Sequence, residues 1–470
     1  MPIYIYNSLS RKKEPFQPIN PPKVNMYTCG VTVYDECHIG HARSLYIFDV
    51  IRRYLKYRGF DVQFVRNITD IDDKIINRAN ELKTDWKELV KKYIGSYYED
   101  LAVLMIDKAD YEPSATGNIE EMKKHIQRLI EKGYAYQAQA GVYFSVRKFK
   151  DYGKLSGQSI DQMLSGVRKE ADETKEDTLD FALWKKSKPG EPSWASPWGE
   201  GRPGWHIECS AMSAKYLKTD TLDIHAGGRD LIFPHHENEI AQSEALTGKP
   251  FAKYWMHHGL LTINGQKMSK SLGNFITIKD VLSKYPADVL KIFYLQAHYS
   301  SPIDFSWEKM EEAKQAYEHI DILMQKLDRL FGTRKVDEVI SGGAGDIEQF
   351  KKKFIEYMDD DFNTPRGLSV LFDMVNRCNK LLESDEKFKY PMLNVAIEII
   401  KEITDIFGLT FLKESSGEMS NDQIEFQIAA RSACKKHKRF KEADEIRKNL
   451  EEKGIILEDN KDGTTWRRKL

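Results

Sequence analysis

The chain has 470 residues, of which 41% are apolar and 30% charged, the composition of ordinary globular domains. Its 71 Lys and Arg stand against 72 Asp and Glu, a net charge of −1. That balance excludes a uniformly basic nucleic-acid coat, although it leaves room for local basic patches. The five cysteines (Cys29, Cys37, Cys209, Cys378 and Cys434) are too few for a disulfide framework and fit free thiols in a reducing cytoplasm. No apolar run approaches the ~18 residues of a bilayer span. The opening MPIYIYNSLSRKKEPF has no apolar leader core. We therefore expect a cytoplasmic protein of two to four domains with no membrane partner.

The first strand is predicted over 25–33, where NMYTCGVTV is β-branched and aromatic. After a loop, Leu45, Phe48, Ile51 and Leu55 recur three or four apart, predicting a helix over 40–57 that Gly59 stops. A second strand follows over 61–68. This strand–helix–strand unit predicts a parallel sheet. Helical patterns fill 71–104 and 118–132. Residues 141–205 carry scattered Gly, Ser, Pro and Trp and read as an insertion with a long surface loop. The α/β pattern resumes with a strand at Leu222–His225. A helix over 234–246 follows, with Pro234 at its first position and Gly248 past its end. From Glu308 to Phe411 helix follows helix, predicting an all-α bundle. A polar linker over 413–421 leads to a last domain that opens with a basic helix, carrying six Lys and Arg and no acid between Arg431 and Lys441.

Four groups of residues carry candidate chemistry. His38-Ile39-Gly40-His41 stands at a strand-to-helix junction. A helix start offers unpaired N–H groups and a positive dipole end to a phosphate, glycine permits close approach, and imidazoles can donate to phosphate oxygens. The four-residue pattern alone also suits ordinary histidines. Lys267-Met268-Ser269-Lys270-Ser271 follows an Asn264-Gly265 turn signal, and its two lysines and two hydroxyls suit a triphosphate, or simply a solvated loop. Cys29, Cys209, His235 and Glu239 are all competent zinc ligands, and His235 and Glu239 at i, i+4 share a helix face. His236 and Glu237 should point elsewhere on that helix. A buried thiol beside a surface helix accounts for the same residues. The fourth group is the basic helix, interleaved with the aromatics Phe440 and Trp466, which suits either unpaired RNA bases or a solvated face. Cys378 reads as core and Cys434 as a surface thiol.

The first two signatures in this order make the chain resemble a class I aminoacyl-tRNA synthetase. Three longer stretches sharpen the resemblance: Tyr27-Thr28-Cys29-Gly30-Val31-Thr32-Val33-Tyr34-Asp35, Gly204-Trp205-His206-Ile207-Glu208-Cys209, and Phe233-Pro234-His235-His236-Glu237-Asn238-Glu239. Asn67-Ile68-Thr69-Asp70-Ile71-Asp72-Asp73-Lys74 and Met358-Asp359-Asp360-Asp361-Phe362-Asn363-Thr364-Pro365 add to it. Together they resemble the cysteinyl-tRNA synthetases from about residue 3 to Lys469.

That resemblance implies ATP-dependent activation of L-cysteine and its transfer to the 3′ end of a cysteine tRNA. It implies one zinc ion per chain on Cys29, Cys209, His235 and Glu239, and Mg²⁺ with the ATP. It places Gly30, Thr69, Trp205 and Asp230 around the amino acid. It puts His38, Gly40, His41, Lys267, Ser269 and Lys270 on ATP, with His38, His41, Lys267 and Lys270 catalytic. Anticodon contacts fall on Arg431, Phe440, Asp444 and Asp459. The implied organisation is a Rossmann-like catalytic domain in two halves (1–117 and 201–256) around an insertion (118–200). A signature loop and stem-contact region (257–307), a tRNA-binding helical bundle (308–412) and an anticodon domain (422–470) follow. We expect a monomer. Three other readings share these features in part. They are a ligase joining cysteine to a small amine, an adenylyltransferase acting on another acid, and a non-catalytic tRNA-binding paralogue.

Overall fold

A computed structural model describes residues 2–160, 162–163, 175–269, 272–332, 345–386, 388–411, 421–460 and 463–468. The chain forms two compact units. One comprises residues 1–310, 352–369 and 406–408; the other comprises 311–351, 370–405 and 409–470.

The first unit begins with an antiparallel hairpin of β1 (Tyr4–Asn7) and β2 (Lys12–Pro15). Its centre is a four-stranded parallel sheet. β3 (Lys23–Thr28) pairs on one side with β4 (Asp61–Arg66) and on the other with β9 (Leu222–Gly228), which in turn pairs with β10 (Ala252–His258). All seven residues of β9 are buried, as expected of an inner parallel strand covered on both faces. Helix α1 (Ile39–Tyr57) connects β3 to β4 and turns Leu45, Phe48, Ile51 and Leu55 into the core, as their spacing predicts. The first strand stops at Thr28, before Cys29 and Gly30. A Cβ on Gly30 would lie 1.5 Å from the Asn67 carbonyl oxygen, so the chain passes too close to its neighbour there for any side chain.

Between β4 and β9 lie α2 (Asp73–Leu82), α3 (Trp86–Val103) and α4 (Ile119–Glu131). A second, antiparallel sheet follows, made of β5 (Ala135–Ala138), β6 (Gly141–Phe144), β7 (Phe181–Lys186) and β8 (Gly201–Pro203). The stretch expected as a long loop is thus partly sheet. Its strands are short, and Trp184, Phe144 and Leu183 are buried in the same core as α4 and α5 (Trp205–Leu217). The helix expected from Pro234 is regular only from Glu237, as α6 (Glu237–Thr247). Phe233 precedes a proline and is extended (φ −136°, ψ 132°), so Ile232–His236 is a wide turn. Gly248 caps α6 at φ +72°. Beyond β10, a small sheet joins β11 (Leu261–Ile263), β12 (Gln266–Lys267) and β13 (Ile303–Phe305). Helix α7 (Ile278–Leu282) lies between β12 and β13.

Among its described residues, the second unit consists of helices and one hairpin. Its last part packs helices over Asn421–Lys436 and Phe440–Glu452 with β14 (Ile455–Asn460) and β15 (Gly463–Arg468) around Ile424, Ile428, Leu450, Ile455, Leu457 and Trp466. The basic run is not one helix. It crosses a turn in which Lys438 has φ +56°. Trp466 is no stacking platform: it is 5% exposed, its indole N–H donates to Glu425 at 2.7 Å, and the Arg329 guanidinium covers its ring. Cys434, expected at the surface, is buried, as Cys378 is.

Candidate active site

The carboxyl ends of β3, β9 and β10 open onto a cavity of about 460 Å³. It brings together Cys29, Gly30, His38, Gly40, His41, Trp205, Asp230, Lys267 and Met268. Sequence-predicted residues from five separate stretches therefore share one wall. Lys270 and Ser271 lie outside the described residues. Thr69 is not on that wall: it is buried, and its hydroxyl donates to Glu208 at 2.8 Å.

His38 is the N-cap of α1. Its Nδ1 accepts the N–H of Gly40 (3.0 Å) and of His41 (3.2 Å), while His41 Nδ1 accepts the His38 N–H (3.4 Å). Ile39 N–H donates to Ile276 O and Ala42 N–H to His38 O. The first turn therefore has no free N–H for a phosphate, contrary to the sequence expectation. The same bonds fix the chemistry of the imidazoles. An Nδ1 that accepts must be deprotonated, so each neutral ring carries its hydrogen on Nε2. Burial lowers His38 to about 4 and His41 well below its ordinary value. At neutral pH both are uncharged Nε2–H donors, stacked at 3.6 Å.

Lys267 follows the Asn264–Gly265 turn, where both residues have positive φ, as a tight hairpin needs. Lys267 is exposed at the cavity rim. Ser269 N–H donates to Asn274 Oδ1 at 2.8 Å. The cavity holds two further cations that sequence reasoning missed: Lys74, and Arg66, which is paired with Glu112 at 2.6 Å.

Cys29, on the cavity wall, converges with the buried Cys209, His235 and Glu239, their ligand atoms within 4.8 Å of one another. Cys29 Sγ is 3.8 Å from Cys209 Sγ and 3.5 Å from Glu239 Oε1. His235 Nε2 is 3.6 Å from Cys209 Sγ and 2.9 Å from Glu239 Oε1. Burial raises the Cys29 thiol well above its usual range. Burial also opposes ionisation of Cys209, yet hydrogen bonds from Cys29 and His235 bring it down to about 6. Burial would deprotonate His235, but Glu239 and Cys209 outweigh it and raise that imidazole to about 10. A buried set of two sulfurs, one imidazole and one carboxylate is competent to hold a metal ion.

His236 does not point elsewhere. Its Nε2 lies 3.2 Å from Cys29 Sγ and its Nδ1 lies 2.8 Å from His257 Nε2. His225 Nε2 holds the second oxygen of Glu239 at 2.7 Å. Glu237 does turn away, accepting the N–H of Gly153 (2.9 Å) and Ser156 (2.8 Å). His225 and His257 were missed and His236 was set aside, although six of the twelve histidines fall between 206 and 258, a local density that marks the cluster.

In the last part of the chain, Arg431 is 1% exposed, and its two terminal nitrogens bind Asp459 at 2.8 and 2.9 Å. Arg431 and Asp459, expected on anticodon bases, are thus bound to each other. Phe440 is 61% exposed and Asp444 is also at the surface.

A parallel sheet with a His-x-x-His helix start and a Lys-Met-Ser hairpin over one cavity defines the catalytic fold of a class I aminoacyl-tRNA synthetase. Solved structures of that class share it. Mycobacterium tuberculosis methionyl-tRNA synthetase in complex with methionyl-adenylate matches at a TM-score of 0.62 and 15% identity, over 82% of this chain and 90% of its own. The Agrobacterium radiobacter K84 LeuRS in its ternary complex matches at 0.61 and 12%, over 83% of this chain and 85% of its own. Three family profiles match in succession. They are the tRNA synthetases class I (C) catalytic domain over 15–315, the DALR domain over 353–412, and the cysteinyl-tRNA ligase anticodon binding domain over 422–467. Cysteine–tRNA ligase of Aquifex aeolicus is 49% identical, covering all of this chain and 99% of its own; that of a Sulfurihydrogenibium strain is 51% identical over all of both. This chain belongs to the cysteine–tRNA ligase family.

Proposed function

We propose that the chain is a cysteine–tRNA ligase. It activates L-cysteine with ATP to cysteinyl-adenylate and pyrophosphate, then transfers the cysteinyl group to the 3′ end of cysteine tRNA. The observation that carries this reading is that Cys29 lines the same cavity as the His38/His41 pair and also belongs to the converging Cys29, Cys209, His235 and Glu239 set.

In the first step the cysteine carboxylate attacks the α-phosphorus and pyrophosphate leaves. Negative charge grows on the phosphate oxygens, and the Nε2–H groups of His38 and His41 are the donors aimed at it. Lys267, Ser269 and Lys270 would bind the triphosphate with its Mg²⁺, and Gly40, on the same cavity, leaves room for the His38 ring, 2.9 Å from where a Cβ would stand. No covalent enzyme intermediate is needed, because positioning and charge stabilisation supply the catalysis. In the second step a ribose hydroxyl of the terminal tRNA nucleotide attacks the acyl carbon and releases AMP.

The four donors fit zinc. Bonds of about 2.3 Å to sulfur and about 2.0 Å to nitrogen or oxygen place tetrahedral ligand atoms about 3.3–3.8 Å apart. Three of the four measured separations lie at 3.5, 3.6 and 3.8 Å. When bound, zinc held by these four residues would take a substrate thiolate as a further, fifth ligand in preference to serine's hydroxyl. Around it, Trp205 stacks on His235 at 4.1 Å between ring centres and forms an aromatic wall. The exposed carboxylate of Asp230, on the same cavity, suits the substrate ammonium. Gly30 presents its backbone to the cavity, and Thr69 acts from behind through Asn67, whose side chain donates to the Thr69 hydroxyl (3.3 Å) and accepts the Gly30 N–H (2.9 Å). Because the metal supplies the discrimination, no editing domain is required.

The same reading assigns 308–412 to tRNA binding and 422–470 to the anticodon, with Phe440 and Asp444 as exposed contacts and Arg431 and Asp459 supporting them. It assigns a monomer in the cytoplasm. Among the described residues no helix is long and apolar enough to cross a membrane. Charging of total tRNA with labelled cysteine tests the reading: cysteine should become acid-precipitable on one tRNA species. Activation of cysteine without transfer to any tRNA would favour the small-amine ligase instead.

A further inference from the structure

The two nucleotide signatures, more than 220 residues apart, are joined through the backbone. Asn274 binds the Lys-Met-Ser stretch, accepting from Ser269 N–H at 2.8 Å and donating to Lys267 O at 3.2 Å. Two residues on, the chain pairs with the residues around His38: Ile39 N–H donates to Ile276 O (3.1 Å) and Ile278 N–H to Cys37 O (3.0 Å). Lys267 and Ser269 are thereby referenced to the same three residues that start α1.

One side-chain group fastens the outer end of this pairing. Lys279, in the first turn of α7, places Nζ 3.0 Å from Glu36 Oε2 and 2.8 Å from Ser96 Oγ of α3, with Glu99 at 3.9 Å. The Ser96 hydroxyl also donates to Glu36. Glu36 stands two residues before His38. Neither Lys279 nor Glu36 lines the cavity, and α7 does not depend on them for its start. Thr277 and Asp280 already form a capping box there. The Lys279 side chain is 48% exposed and that of Glu36 26%, so the pair has little role in the core.

We propose that Lys279, Glu36 and Ser96 form a clasp that positions the Lys267–Ser269 stretch against the His38/His41 donors, so that both signatures meet one triphosphate. Lys279 and Glu36 are positioning residues, and the proposal rests on the reading of this cavity as the ATP site.

The test is cysteine-dependent ATP–pyrophosphate exchange by the full chain. Lys279→Met should raise KM for ATP about three- to fivefold, the range of a half-exposed ion pair, with KM for cysteine and bound zinc unchanged. Lys279→Arg should restore most of the loss. Lys279→Glu combined with Glu36→Lys should bind ATP better than either single change. An ATP KM unchanged in Lys279→Met, or equal rises in both KM values, would overturn the clasp. Wild-type protein measured alongside separates the two claims: without wild-type exchange, the reading of the site fails and the clasp with it.

Discussion

At the scale of single residues, the buried arginine of the last domain shows how a sequence match and a structure assign different work to one side chain. The carboxylate of Asp459 is held below its ordinary range, first by the Arg431 guanidinium and then by Thr464 and Lys435. A depressed acid pKa adds stability that is complete above about pH 4 and is lost as pH falls further. Arg431→Met should destabilise the C-terminal domain by about 1–2 kcal/mol, less than a fully buried pair because Asp459 is partly exposed. The loss should shrink on acidification below pH 4. Chemical denaturation at pH 7 and pH 3 measures both, and an equal loss at the two pH values would contradict the pairing argument. The Cys29, Cys209, His235 and Glu239 group was expected from the family resemblance: helical spacing relates only His235 to Glu239, and residue type alone suits a buried thiol beside a surface helix equally well. The ion pair of Arg431 was not legible: charge and position suggested RNA, and only burial reveals it.

At the scale of elements, α1 was legible from periodicity and three of the four parallel strands from their composition; β10 was not, because its AKYWMHH run has no β-branched residue and no alternation. The antiparallel sheet over 135–203 was not, because strands of three to six residues separated by Gly, Pro and Ser leave too short a period to read. The start of α1 held a second surprise. His38 caps its own helix, so the first-turn N–H groups are taken and, on the proposed reading, phosphate contacts fall to the imidazole Nε2–H groups. The basic run near 431–441 likewise divides across a turn, leaving Phe440 exposed at the start of its helix. If that ring stacks on an anticodon base, Phe440→Ala should raise KM for tRNA about five- to a hundredfold, the value of one base–aromatic stack. ATP–pyrophosphate exchange should not change. Equal loss in charging and exchange would contradict the assignment.

At the scale of the whole molecule, the near-zero net charge conceals an asymmetry. Residues 431–470 carry 13 Lys and Arg against 8 Asp and Glu, and the remainder carries 58 against 64. Acid should weaken the fold through buried histidines outside the metal cluster. Burial lowers His38, His125 and His258 to about 4 and His41 further. A depressed histidine contributes stability that is full above its unfolded value near 6.5 and is lost as pH falls toward 4. Each such site should cost about 1.4 kcal/mol one pH unit below 6.5. The melting temperature should therefore fall steadily from pH 7 to pH 5, and a flat profile would contradict the neutral state of these rings. On the proposed reading, a metal on Cys29, Cys209, His235 and Glu239 selects cysteine by its thiolate. The most direct measurement is ATP–pyrophosphate exchange with cysteine and with serine, alongside zinc content, for the wild type and Cys209→Ser. We predict about one zinc per wild-type chain and exchange with cysteine only, with zinc and cysteine affinity lost together in Cys209→Ser. Full cysteine activation by zinc-free protein would contradict the account.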